Sequence, residues 1–123
     1  MSVRERLYVE EWRRLIEAGE AKLIGIIRQE ILSGVRKGSD FEGLRERLRA
    51  FPDIVLTEAD HEEAARVFNA CRARGHSFAA IDLMICAVAL RRGMAVYSLD
   101  ADFRRLAEYV PVKLHKVPGV QGF

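Results

Sequence analysis

Cysteine and histidine are scarce in this 123-residue chain, at two and three copies. Cys71 and Cys86 both fall among apolar residues of predicted helices. They read as buried thiols, which excludes a disulfide scaffold and a paired-cysteine zinc site. His61, His76 and His115 are scattered, so a histidine zinc site is not expected. There is no glycine-rich phosphate loop and no GxSxG elbow, so two common nucleotide-binding and hydrolase signatures are missing. No apolar run approaches the ~18 residues of a membrane span. The opening "MSVRERLYVEEW" is too charged for a signal peptide, and together these absences give a cytoplasmic expectation. Charge of one sign is lacking as well: 20 Lys and Arg against 18 Asp and Glu leave +2. That excludes a polycationic binder, while the richness in arginine leaves room for a basic patch. Repeats, low-complexity segments and linkers are absent, and the length fits one domain spanning 1–123.

What is present is half apolar, enough for a real core. Arg4 to Ala18 has the stripe of an amphipathic helix, with Tyr8, Trp12, Leu15 and Ile16 on one face and Gly19 as a stop. Trp12 reads as core packing. "AKLIGII" reads as a short buried strand and "RQEILSGVRK" as the helix after it. Ser39 and Glu42 have capping-box spacing for a third helix, ended by Pro52. "IVLT" is a second strand, and Thr57 can cap a helix from Glu58 to Arg74, closed by Gly75. Ser77 can cap "FAAIDLMICAVALRR", closed by Gly93. "AVYSL" is a third strand, "DFRRLAEY" a short helix, "VKLHKV" a fourth strand and "PGVQGF" a loop. Strands alternating with helices predict an α/β fold, a parallel sheet flanked by helices.

Three carboxylates stand where carboxylates are costly. Asp82 lies about a turn into a helix that is apolar nearly all round, where an unpaired charge costs several kcal/mol. A salt bridge or the helix N-terminus is the ordinary remedy. Asp100 closes the buried run "AVYSL", with Ser98 on the same side by strand periodicity. Asp100 or Asp102 can cap the short helix that follows, but that task needs only one of them. Glu30 follows a predicted strand and opens a predicted helix. Acids gathered at one sheet edge repel unless a cation binds, and hard ions, Mg²⁺ or Mn²⁺, suit oxygen donors.

These residues resemble a family. "RGHSFAAIDLMICAVALRRGMAVYSLDADF" is similar to the C-terminal half of a PIN domain of the VapC-like toxin branch. The shared pattern is a hydroxyl residue, an aspartate a turn into an apolar helix, and a strand closed by Ser/Thr-x-Asp-x-Asp-Phe. Weaker similarity runs back through "EAGEAKLIGIIRQEILSGVR". The resemblance implies a metal-dependent endoribonuclease, a toxin of a toxin–antitoxin pair. Its catalytic acids would be Glu30, Asp82 and Asp100, holding Mg²⁺ or Mn²⁺ with Asp102 as auxiliary acid and Ser98 as supporting hydroxyl. Metal-activated water would cleave RNA phosphodiester bonds. It also implies a cognate antitoxin and a homodimer. Arg36, Lys37, Arg72, Arg74, Arg91 and Arg92 are candidate phosphate contacts, although ordinary solvated helix surface would account for half or more of them.

The chain departs from the family at its start. The family opens with a central strand ending in Asp-Thr or Asp-Ser, whereas this chain opens in the helix that should follow. The expectation is a PIN-like three-layer fold, N-terminally truncated, without its first central strand and first aspartate. Glu10 and Glu11, on a helix, do not replace that acid. The alternative function is a non-catalytic PIN remnant that binds an antitoxin or dimerises, and a phosphoacceptor domain is a distant third. The helix-borne Asp82 argues against the last.

Overall fold

A computed structural model describes residues 2–120, so Gln121 to Phe123 of the expected terminal loop lie outside it. The chain divides into two compact units, residues 1–55 and 56–123.

In the first unit, α1 (Val3–Glu17) begins on a capping box in which Ser2 and Glu5 satisfy each other's backbone N–H groups. It ends before Gly19, whose φ of 69° is the left-handed geometry that favours glycine. β1 (Leu23–Ile24), α2 (Gly25–Ser33), α3 (Gly38–Leu48) and β2 (Asp53–Ile54) follow. β1 and β2 pair in parallel. Leu23, Leu48 and Phe51 form the core, with Trp12, Ile16, Ile27, Leu32 and Leu44 packed on it. Trp12 stacks on Phe51 at 5.6 Å, which bears out its reading as a packing residue. Arg28 ties α2 to the start of β2: its guanidinium donates to the Phe51 carbonyl at 2.7 Å and to Asp53 at 2.8 Å.

Three expectations fail here. The run "AKLIGII" is strand only at Leu23–Ile24, and its last three residues are already helix. An apolar run of this length does not distinguish a buried strand from a buried helical turn. Glu30 therefore sits mid-helix and exposed, not in the first turn of α2. The Ser39–Glu42 capping box does not form. Lys37 is the N-cap of α3, Ser39 is inside the helix, and Glu42 accepts from Arg45 at 2.6 Å instead.

The second unit holds α4 (Glu58–Ala73), α5 (Ala80–Arg92), β3 (Ala95–Val96), α6 (Ala101–Leu106) and β4 (Lys113–Leu114). β3 and β4 are parallel, as expected, and among the described residues no third strand joins either ladder. Val67 and Cys71 of α4 pack against Leu83, Cys86 and Ala89 of α5, and Val96, Phe103, Leu106 and Val112 close the core. Both thiols are free and buried, as the sequence implied, and burial pushes Cys86 up to about 12. No helix of the described residues is long and apolar enough to cross a membrane. Ser77 does not cap α5, whose N-cap is Ala79. Gly93, at φ 62°, ends it as expected.

Thr57 caps α4 through a reciprocal box with Asp60. Asp60 does more than cap. It is fully buried, accepts the Thr57 N–H at 2.8 Å, and receives both Arg91 and Arg92 from the far end of α5. Burial alone would raise its pKa, but the Thr57 N–H and the two guanidiniums outweigh that and hold it well below the usual carboxylate range. The lowered pKa makes its contribution complete above the unfolded value near 4 and progressively lost as the pH falls below it. Removing the acid takes a shared partner from two half-buried arginines. Asp60→Ala should therefore destabilise the protein by about 2–3 kcal/mol in urea unfolding at pH 7. The gap to wild type should narrow on acidification below about pH 4.

Candidate metal centre

Asp82 occupies the third residue of α5, in the first turn. There its charge faces the unsatisfied N–H end of the helix, which favours an anion. The apolar stretch behind it, Leu83 and Cys86 to Ala89, is buried, whereas Asp82 itself is half-buried. A polar residue on the first turn of an otherwise core-filling helix is thereby held at the rim of the core.

Asp100 arrives by a different route. The chain leaves β3 at Val96, and Ser98 accepts the Asp100 N–H on its hydroxyl at 2.9 Å. Asp100 is then the N-cap of α6, its Oδ1 accepting the Asp102 N–H at 2.9 Å. One carboxylate oxygen of Asp100 is fixed by that cap while the other is directed by it. Asp102 in the first turn of α6 pairs with Arg105 one turn on, at 2.9 Å. The capping task is thus done by Asp100, and Asp102 is left for a second one.

These elements bring one carboxylate oxygen each from Asp82, Asp100 and Asp102 to within 4.8 Å of one another. Oxygens bound to one Mg²⁺ stand about 3.0 Å apart when adjacent and about 4.2 Å when opposite, so the side chains would close by up to about 2 Å on a hard cation. The donors are all carboxylate, the chemistry that suits Mg²⁺ or Mn²⁺ rather than zinc. Glu30 belongs to the first unit and lies exposed on α2.

The model of the PIN domain matches residues 2–109. The chain belongs to the PIN-domain family. Its VapC-like character is supported by curated relatives: VapC ribonuclease Mb1587 of Mycobacterium bovis and ribonuclease VapC11 of two Mycobacterium tuberculosis strains. Each is 33% identical over 101 residues, covering 79% of this chain and 75% of the relative. In this PIN domain the acids arise from the two ends of one helix–strand–helix passage, α5–β3–α6, so a single segment of 23 residues, 80–102, carries all three.

The arginines and lysine expected at phosphates have varied surroundings. Arg91 and Arg92 are committed to Asp60, a structural role visible only once α4 and α5 are packed. Arg72 lies over Phe68 and Arg74 over Tyr109. Arg36 and Lys37 are exposed between α2 and α3. Arg105 was not singled out by sequence reasoning, although its i,i+3 spacing from Asp102 was a usable signal.

The double duty of Asp100 separates charge from capping. Asparagine caps as well as aspartate but carries no charge. In EDTA, Asp100→Asn should melt at or above the wild-type temperature, while Asp100→Ala should melt lower by the loss of about 1 kcal/mol. Differential scanning fluorimetry with added Mn²⁺ should raise the wild-type melting temperature and leave Asp100→Asn unmoved. A wild type that ignores Mn²⁺ would remove the metal centre.

Proposed function

We propose that this PIN domain is a metal-dependent endoribonuclease, a VapC-like toxin held in check by a cognate antitoxin. The observation that carries the reading is the all-carboxylate cluster of Asp82, Asp100 and Asp102 in a chain whose relatives are named ribonucleases. Asp82, Asp100 and Asp102 would hold Mg²⁺ or Mn²⁺, which supplies a more acidic water and an electrostatic partner for phosphate. The remaining work belongs to the chain. The helix end beneath Asp82 and the cap at Asp100 hold two carboxylates in place before any ion arrives, so little reorganisation is required. Ser98 fixes the turn that presents Asp100. Arg105 balances the charge of Asp102. Glu30 is assigned to the same reaction by the family resemblance, and its own substitution tests that assignment. A homodimer is part of the same proposal.

The test is cleavage of a labelled RNA by purified protein freed of antitoxin. Wild type should cut in Mg²⁺ or Mn²⁺ and stop in EDTA. Asp82→Asn, Asp100→Asn and Glu30→Gln should each lose at least about a hundredfold in rate, the scale of removing one preorganised electrostatic group. Metal-insensitive cleavage, or cleavage unchanged in Asp82→Asn, would contradict the proposal. Absence of cleavage by a wild type that still binds a protein antitoxin would favour the non-catalytic module instead.

A further inference from the structure

A chain of cation and ring contacts leads away from the acidic cluster. Arg105 pairs with Asp102 and at the same time lies over the Phe78 ring, 5.0 Å from its centroid. Phe78 sits 6.5 Å from Tyr109, centroid to centroid. Tyr109 in turn carries His76 at 4.8 Å and Arg74 at 4.7 Å. The two rings are only half-buried, and one side of each packs on the core of the second unit. Arg74 and Arg105 are exposed. The rings are therefore anchored on the core while their cationic covers face solvent.

We propose that this chain of contacts is the track along which a single-stranded RNA reaches the acidic cluster, with bases stacking at Phe78 and Tyr109 and phosphates held by Arg105 and Arg74. Rings fixed on a core can offer a base their outer face, with little further loss of entropy, once the cation covering it turns to a phosphate, and stacking accepts any base. A guanidinium resting on an exposed ring is weakly held and can exchange that contact for a phosphate, where its planar fork binds two oxygens. Arg105 links the track to the cluster. Its pair with Asp102 is exposed and therefore weak enough to leave the guanidinium available to a phosphate. A duplex hides its base faces, so the track selects unpaired RNA. The identity of the polymer rests on the ribonuclease reading, whereas the track itself rests on the geometry of these five side chains.

The experiment is fluorescence anisotropy of a labelled, mixed-sequence single-stranded RNA of about a dozen nucleotides, in EDTA so that the strand stays whole. Arg105→Gln and Tyr109→Leu should each weaken binding about tenfold, and Tyr109→Phe should stay within about twofold of wild type. Arg74→Gln should weaken binding and lower the salt slope by about one. Circular dichroism melts confirm that Tyr109→Leu is folded, and the two exposed arginine variants decide the matter if it is not. Wild-type affinity in both arginine variants, or tight binding of a duplex in preference to the single strand, would overturn the track, as would a wild type that binds no RNA. The two proposals fail separately. A wild type that cuts RNA with KM unchanged in Arg105→Gln keeps the nuclease and loses the track. A wild type that binds through these residues and never cuts keeps the track and loses the nuclease.

Discussion

The second unit depends on one buried carboxylate. Asp60 brings the first turn of α4 against the last turn of α5, and its two guanidinium partners make that contact specific in register. The helices run antiparallel, so pinning one end of α5 fixes where the other end stands. Asp82 lies nine residues, about 14 Å, from Arg91 along that helix. The same pinned end delivers the chain through Gly93 into β3 and on to Asp100. A structural ion cluster at one end of the helix pair thus sets the spacing of the acids at the other.

That arrangement explains why two carboxylates can follow directly behind an apolar run. Each has a local role that holds it without a metal. Asp100 caps α6, Asp102 pairs with Arg105, and Asp82 sits at the N-terminal end of a helix. The roles of Asp100 and Asp102 do not use up their carboxylates. A capped aspartate has a second oxygen, and an exposed ion pair is weak enough to exchange.

Much of this was legible before the structure. The sequence singled out Asp82, Asp100 and Asp102, and the structure places these three together. The cap at Thr57, the stops at Gly19 and Gly93, and the parallel pairing also read correctly. Other features did not. Glu30 was placed at a helix start because "AKLIGII" has no period that separates a strand from a buried turn. The Ser39 box failed because capping spacing is also the spacing at which Glu42 meets Arg45 on a helix surface. Asp60 was missed because "EADHEEAA" looks uniformly solvated. Only packing chooses which of its acids is buried. The same ambiguity made Arg91 and Arg92 look like a free basic rim.

The claim on which the account turns is that the three aspartates form one metal centre. Anomalous diffraction from crystals equilibrated with Mn²⁺ tests it directly. The account predicts a manganese peak coordinated by Asp82, Asp100 and Asp102, at about 2.1–2.2 Å from their oxygens, with Arg105 withdrawn from Asp102. Well-ordered aspartates with no peak between them at saturating Mn²⁺, or with Arg105 still filling the space, would contradict it.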